Sequence, residues 1–246
     1  MGCKMLPAHT PRRAHALPHR VGQLVPIFQH RLLRWYLRHQ RPLPWRRTRD
    51  PYRILVSEIM LQQTQVDRVI PKYQEFLRRY PTVEALAKAR VPALRKTWYP
   101  LGYNIRPIRL RNIARAVLAR HGGRIPSSYD GLMAMDGIGR YTAGAVLSFA
   151  FRQDAPILDT NVERLLRRYF GLPPTVTKSV LWQVARRVIP EGKAYDINQA
   201  MMDFGALVCT ARRPQCPSCV LRRQCRSYPI ADDRLQTRHP SGHRRH

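Results

Sequence analysis

The chain has 246 residues, of which 44 are Lys or Arg and 15 are Asp or Glu, so its formal charge is +29. Hydrophobic residues make up 44% of the sequence, enough for a core, which excludes a disordered or low-complexity protein. No apolar run approaches the roughly 18 residues of a membrane-spanning helix, which excludes an integral membrane protein. The charge predicts a polyanionic partner, and nucleic acid is the leading candidate because Lys and Arg release counterions from its phosphates. The alternative is a ribosome-associated or merely basic protein.

The pattern between the two ends of the chain is helical. Residues 1–20 are basic and contain no acidic residue, residues 229–246 are polar with Arg and His, and we expect both segments to be disordered. Apolar residues elsewhere recur three and four positions apart, as in amphipathic helices, and Pro and Gly separate the stripes. The sequence therefore predicts an all-α protein of about ten short helices, among them 54–70, 83–94, 108–118, 141–151, 162–169 and 180–188.

Four of the five cysteines lie close together near the end of the chain. Cys209, Cys216, Cys219 and Cys225 have the spacing C-x6-C-x2-C-x5-C. Four thiols this close indicate one metal centre rather than a disulfide framework. A structural zinc site usually has two C-x2-C pairs, whereas a short loop can wrap a [4Fe–4S] cluster with the spacing seen here. We expect the cluster; zinc and the absence of any metal are the alternatives.

A glycine pair joins two of the predicted helices. Gly137 and Gly139 flank Ile138, which would anchor the turn to the core. Such a turn directs backbone amides outward at a helix N-terminus, where they can bind a phosphate without reading base sequence. An ordinary turn between two helices is the alternative interpretation.

Several motifs, in order along the chain, resemble the helix–hairpin–helix base-excision DNA glycosylases, which include endonuclease III and the MutY-type adenine glycosylases. The resemblance covers residues 21 to 228 and is carried by segments 43–45, 51–66, 102–103, 137–145, 157–164 and 198–205, together with the four cysteines. It implies a two-lobed all-α fold. Residues 50–155 would form a six-helix bundle with the hairpin, and residues 21–49 and 156–228 would form the iron–sulfur lobe.

Two carboxylates are the leading catalytic candidates. Glu58 lies in an apolar stretch, where burial should raise the pKa of its carboxyl and suit it to general acid catalysis. A surface glutamate or a buried ion pair is the alternative. Asp159 precedes a predicted helix and could simply cap it. The resemblance implies that Glu58 protonates the leaving adenine and that Asp159 stabilises the positive charge on the sugar.

Tyr141 and Asn161 complete the catalytic set that the resemblance implies. Tyr141 stands where the bifunctional glycosylases carry the lysine that forms a Schiff base, and residues 131–151 contain no lysine. We therefore expect a monofunctional enzyme without strand-cleaving activity. Asn161 would position groups near Asp159. A core aromatic is the alternative for Tyr141.

The resemblance also implies which residues contact DNA. Gln62 and Tyr103 would enter the base stack beside the mismatch, because extrusion of a base leaves a gap to fill. The hairpin would bind the backbone, and the basic loop after Cys209 would lie against phosphates. The full set of expected DNA contacts is Gln62, Gln63, Thr64, Tyr103, Gly137, Ile138, Gly139, Arg140, Thr142, Arg212 and Arg213.

Some positions depart from the adenine glycosylase pattern. Asp136 replaces the usual proline before the hairpin, Asn104 replaces a second tyrosine, and Thr160 replaces a glycine. The chain ends soon after the cysteines, and we expect no second domain for sensing 8-oxoguanine. The thymine mismatch glycosylases also end there.

Together these features predict a monofunctional glycosylase that removes adenine paired with guanine or 8-oxoguanine in duplex DNA. A thymine/uracil·guanine mismatch glycosylase is the alternative, and a non-catalytic iron–sulfur DNA-binding protein is a remote one. We expect a monomer that does not associate with membranes. We also expect a cytoplasmic location, with the nucleoid if the source is a prokaryote.

Overall fold

The computed structural model describes residues 19–228, which form α-helices and two short 3-10 helices without any strand. This confirms the predicted all-α class. The α-helices are α1 (His19–His39), α2 (Pro51–Leu61), α3 (Val66–Arg79), α4 (Val83–Lys88), α5 (Val91–Trp98), α6 (Arg106–His121), α7 (Tyr129–Met133), α8 (Arg140–Phe149), α9 (Thr160–Phe170), α10 (Lys178–Arg187) and α11 (Ala194–Leu207). The 3-10 helices are Pro44–Arg47 and Arg222–Gln224. None of the helices in this part of the chain is long and apolar enough to cross a bilayer.

The two ends of the chain fall largely outside the described residues. Helix α1 begins at His19, so the last two residues of the arm predicted over 1–20 are helical. The rest of that arm, and the tail predicted over 229–246, lie beyond the range that the structure describes.

Two predicted helices are wrong because each is broken by a turn. Segment 54–70 divides between α2 and α3, and Gln63 in the turn adopts a left-handed backbone with φ of 54°. Segment 83–94 divides between α4 and α5, where Pro92 occupies the first turn of the second helix. Proline suits that position because it needs no donor there. The apolar periodicity continues across both breaks and therefore conceals them.

Helices α1 and α11 pack against each other and are not among the predicted helices. Helix α11 buries polar side chains as well as apolar ones, including Asn198, Gln199 and Asp203. A helix buried on most of its circumference shows no clean apolar stripe, which explains why periodicity misses it.

The helices pack around a continuous apolar core. Helix α2 packs on α3 and α8, and α4 packs on α6, whereas α1 contacts α9, α10 and α11. Helix α11 also contacts α8. The assignment of residues 50–155 and of 21–49 with 156–228 to two lobes stays a prediction.

A buried ion cluster ties the segment after α1 to α11. Asp203 is fully buried, and its two oxygens accept hydrogen bonds from Arg46 at 2.7 and 2.9 Å. Arg41 Nε donates a third hydrogen bond to Asp203 at 2.6 Å. Removing one partner of such a buried pair is strongly destabilising because the other charge is left uncompensated.

Close backbone packing fixes the chain that leads to Asp159. A Cβ atom on Gly144 of α8 would lie 2.2 Å from the carbonyl oxygen of Pro156, so only glycine fits there. The segment 156–159 therefore runs directly against α8.

Candidate active site and nucleic-acid interface

Glu58 is positioned by a helix that is buried along most of its length. Asp50 caps α2 by accepting a hydrogen bond from the backbone N–H of Tyr52 at 2.8 Å, and Pro51 occupies the first helical position. The apolar neighbours of Glu58 are buried, and Glu58 itself is only 3% exposed. The surface alternative raised by the sequence is therefore wrong, and the expected burial is confirmed.

The surroundings of the Glu58 carboxyl favour its protonated form. Burial raises its pKa from the ordinary 4.5 to about 7, and Oε2 has no hydrogen-bond partner among the described residues. A contact with Tyr141 lowers this pKa, the charge of Asp159 raises it, and the charge of Arg46 lowers it. No carboxylate–cation pair involves Glu58 in the described chain, which also excludes the buried ion pair.

Tyr141 lies in the first turn of α8 and faces Glu58. Burial and the neighbouring carboxylates of Glu58 and Asp159 raise the pKa of its phenol well above the ordinary value, so it remains a hydroxyl. The hydroxyl lowers the pKa of the Glu58 carboxyl. Its one hydrogen bond within the described residues is a long contact with Met202 Sδ, at 3.9 Å.

Asp159 caps α9 and also presents a second oxygen to the site. Oδ1 accepts a hydrogen bond from the backbone N–H of Val162 at 2.7 Å, and Oδ2 accepts one from Asn161 Nδ2 at 3.1 Å. Asp159 can therefore cap α9 and also take part in the site. The helix N-terminus favours the negative charge of this carboxylate.

Arg164 extends this network toward the cysteines, and the sequence prediction did not single it out as a site residue. Its Nη2 donates to Asn161 Oδ1 at 2.7 Å and to the carbonyl of Gly205 at 2.6 Å, and its Nε donates to the carbonyl of Cys209 at 2.8 Å. A side chain with several fixed donors thus joins the Asp159 region to the cysteine segment.

All four cysteines line one cavity of about 220 Å³ and form no disulfide. Within the described residues, no group of three or more His, Cys, Asp or Glu side chains is already arranged to hold a metal ion. Burial raises the pKa of the Cys219 thiol to about 11, so that thiol needs a cation to ionise at neutral pH. Four free thiols on one cavity are a donor set that fits an iron–sulfur cluster.

The loop between Cys209 and Cys216 is anchored from α9. Arg168 donates to the carbonyl oxygens of Thr210 at 2.7 Å and Ala211 at 3.0 Å. Arg212 and Arg213 follow on this loop with exposed side chains, and neither forms an ion pair in the described part of the chain.

The hairpin lies between α7 and α8. Gly137 has a φ of 93°, a backbone conformation that disfavours other residues, and Ile138 is buried as expected for an anchor. Gly139 is the N-cap of α8, and a Cβ atom added there would meet nothing within 4 Å. Thr142 is 3% exposed, so its side chain is not available to a phosphate, although its backbone N–H lies in the first turn of α8, where amides have no partner within the helix.

A basic groove adjoins the hairpin. Arg140 lies over the ring of Trp182 with 4.1 Å between the guanidinium carbon and the ring centroid. Arg186 and Arg187 of α10 line the same groove. This surface therefore places three arginines beside the outward amides of α8.

Two neighbouring loops carry the residues predicted to enter the base stack. Gln62 is the C-cap of α2, Gln63 is exposed, and Thr64 donates to the carbonyl of Gln62 at 3.2 Å. Tyr103 is 60% exposed and has a φ of 48°. Asn104, which departs from the family pattern, is exposed beside it.

The structure thus brings Glu58, Tyr141, Asp159 and Asn161 into one site. Arg164 connects this site to the segment that begins at Cys209. The departing residues Asp136 and Thr160 are exposed. Arg46, Arg106 and Arg164 are functional candidates that the sequence prediction missed. Their type is common in this chain, so only their burial and contacts distinguish them.

A protein-family comparison agrees with this geometry. Residues 56–191 match the HhH-GPD superfamily of base excision DNA repair proteins. The chain belongs to this family.

Individual relatives differ in the base that they remove. An adenine DNA glycosylase of Buchnera aphidicola is 37% identical over 82% of this chain and 58% of its own length. A thymine-DNA glycosylase of Aeropyrum pernix is 38% identical over 83% of this chain and 95% of its own. The chain spans little more than half the length of that adenine relative.

A solved structure shows the same fold. The structure of a thermostable thymine-DNA glycosylase superimposes with a TM-score of 0.80 at 33% identity, covering 84% of this chain and 97% of that one. The all-α helix–hairpin–helix glycosylase fold that the sequence predicts is therefore confirmed.

We expect Glu58→Gln to raise the free energy of unfolding at pH 8.5 and to change it little at pH 5. The native pKa of about 7 exceeds the ordinary 4.5, so the stability that Glu58 contributes is complete below about pH 4.5 and is lost as the pH rises through 7. The difference corresponds to about 3 kcal/mol at high pH. Urea unfolding at both pH values measures it.

Glu191→Gln, at an exposed glutamate, is the matched control and should show no such pH dependence. An equal effect of Glu58→Gln at both pH values would contradict the assignment of a protonated, buried Glu58.

Proposed function

We propose that the protein hydrolyses the N-glycosidic bond of adenine mispaired with guanine or 8-oxoguanine in duplex DNA, leaving an abasic site. The observation that carries this proposal is the buried carboxyl of Glu58 beside Asp159 and Tyr141, with a pKa that burial raises to about 7. A carboxyl poised near neutral pH is suited to general acid catalysis.

Glu58 would donate its proton to a ring nitrogen of the extruded adenine. Adenine is a poor leaving group as an anion, and protonation lets it depart as a neutral base. Glu58 Oε2 has no hydrogen-bond partner among the described residues, so it can make this contact with the base. The resulting carboxylate can then accept a proton from the attacking water.

Asp159 would stabilise the oxocarbenium-like sugar that forms as the bond breaks. Asn161 holds one oxygen of this carboxylate, and the backbone N–H of Val162 holds the other. Residues 131–151 provide no lysine to attack the sugar, so water is the nucleophile and the DNA strand remains intact.

Binding of the duplex would use the hairpin and the basic groove. The first-turn amides of α8 can donate hydrogen bonds to a phosphate, and Arg140, Arg186 and Arg187 extend the positive surface. Gln62 and Tyr103 would fill the gap left by the extruded base. Arg212 and Arg213 would add phosphate contacts from the cysteine loop.

Removal of thymine or uracil opposite guanine is the second candidate. It is favoured by the similarity to the Aeropyrum pernix thymine-DNA glycosylase, which extends over 95% of that protein. Pyrimidines such as uracil can leave as stabilised anions, so this reaction makes less use of a protonated Glu58. That difference favours adenine.

We further propose that Cys209, Cys216, Cys219 and Cys225 hold a [4Fe–4S] cluster. Such a cluster would fix the fold of the basic loop that carries Arg212 and Arg213. Zinc is less suited to this spacing, which contains one C-x2-C pair instead of two. We propose a monomer that acts on the genome in the cytoplasm, with the nucleoid in a prokaryotic source.

An assay on matched duplexes containing A·G, A·8-oxoguanine, T·G and U·G tests the reaction. We expect breakage at the adenine only after alkali, because water is the nucleophile.

Asp159→Asn should abolish turnover while duplex affinity stays within about tenfold, or 1.4 kcal/mol. Breakage at T·G or U·G instead would assign the second candidate, and an active Asp159→Asn variant would remove Asp159 from the chemistry.

The hairpin is tested by Gly139→Ala, with Gly22→Ala as the control. Neither added Cβ meets any protein atom, so both variants should fold. We expect Gly139→Ala to weaken duplex binding, because its methyl group would stand between the α8 amides and a phosphate. The double variant Gly137→Ala with Gly139→Ala should lose binding and base release together; undiminished base release would refute the hairpin assignment.

The cluster is tested by anaerobic purification. We expect a brown protein with broad absorbance near ~400 nm and about four iron atoms per chain. Cys216→Ser should lower both the iron content and the absorbance. A colourless protein with one zinc per chain would refute the cluster.

A further inference from the structure

Arg106 is a buried cation that forms no ion pair within the described residues. It is only 3% exposed and is the first residue of α6. A positive charge at a helix N-terminus opposes the helix dipole, and burial adds a desolvation cost. Its contacts must therefore offset both penalties.

One set of contacts holds the loop that follows α2. Arg106 Nη1 donates to the carbonyl oxygens of Ile59 at 3.2 Å and Met60 at 2.9 Å, and also to that of Gln62. Nη2 donates to Thr64 Oγ1 at 3.0 Å. The guanidinium therefore binds the C-terminal end of α2 together with the loop that carries Gln62.

The other set of contacts holds the loop before α6. Nη2 also donates to the carbonyl oxygens of Leu101 at 3.1 Å and Gly102 at 3.2 Å. The guanidinium carbon lies 5.3 Å from the ring centroid of Trp98 and 5.3 Å from that of Tyr103. One side chain thus binds both loops at once.

Both loops contain a residue in a strained backbone conformation. Gln63 has a φ of 54° and Tyr103 has a φ of 48°, values that residues other than glycine rarely adopt. Such strain persists only where the surroundings fix it. The Arg106 side chain donates to the backbone carbonyl that directly precedes each of these residues, that of Gln62 and that of Gly102.

We propose that Arg106 is a positioning residue that keeps residues 62–64 and 101–103, here called the wedge loops, in one fixed relation. Gln62 and Tyr103 then enter the base stack as a single rigid unit when the target base is extruded. Preorganisation matters because mobile loops would have to be ordered during extrusion. This inference rests on the proposed function.

The test compares Arg106→Lys with Arg115→Lys. Lysine keeps the charge but loses the planar fork that reaches several acceptors. Arg115 is an exposed arginine on the same helix whose Nε donates to the carbonyl of Ala87, so it is a matched control. A duplex with 2-aminopurine next to the mismatched base reports extrusion as a rise in fluorescence.

We expect Arg106→Lys to abolish most of the fluorescence rise and to slow single-turnover base release by about tenfold or more, with affinity for a fully paired duplex within about twofold. The pH dependence of base release should be unchanged, since Glu58 is untouched. Arg115→Lys should behave as wild type in each measurement.

Thr64→Val supplies a second variant, in case Arg106→Lys does not fold. It removes one acceptor of Arg106 at nearly constant shape, and we expect a smaller loss of the fluorescence rise with an unchanged melting temperature. A wild-type fluorescence rise in folded Arg106→Lys would overturn the inference, and so would one in Thr64→Val if Arg106→Lys does not fold. So would an equal loss in Arg115→Lys.

The two proposals can fail separately. Wild-type protein that releases no base from any mismatch would overturn the proposed function. If wild-type protein releases thymine instead, the same variants are measured on the T·G duplex and the inference about Arg106 is tested unchanged.

Discussion

Exclusion of water from the Glu58 carboxyl is the constraint on which the proposed chemistry depends. The packing of α2 against α8 buries this carboxyl and raises its pKa to about 7. On a solvent-exposed surface the same glutamate would be ionised and could not donate a proton at neutral pH. The apolar side chains around Glu58 therefore contribute to stability and, at the same time, set the protonation state of the site.

The buried ion cluster at Asp203 lies near the Glu58 carboxyl through its Arg46 side chain. Arg46 lies near enough to Glu58 to lower its pKa, but both oxygens of Asp203 bind the Arg46 guanidinium. The charge of Asp203 offsets that of Arg46, so the cation favours ionisation of Glu58 less than an unpaired one would. The cluster thereby joins the segment after α1 to α11.

Recognition of DNA would rely on elements that do not read sequence. The hairpin presents backbone amides, and the groove beside it presents Arg140, Arg186 and Arg187. Because 44 Lys and Arg residues face only 15 Asp and Glu residues, the excess of +29 cannot be neutralised within the chain. Such an arrangement suits a protein that searches a duplex for one wrong base pair.

The sequence by itself determined the all-α class, the hairpin, the cysteine group and the two carboxylates, because each leaves a local signature of periodicity, spacing or an acid among apolar residues. It could not locate the breaks at Gln62–Gln65 and Ala89–Arg90, since apolar periodicity continues through both turns. It also missed α11, whose buried polar side chains interrupt any stripe.

Only the tertiary structure decided which arginines matter. The chain is so rich in Lys and Arg that Arg46, Arg106 and Arg164 look like solvated surface charges in sequence. Their partners, Asp203, the wedge loops and Asn161 with Cys209, include groups far away along the chain or on separate loops. Long-range hydrogen bonds leave no periodic trace in sequence, so burial and geometry alone reveal these roles.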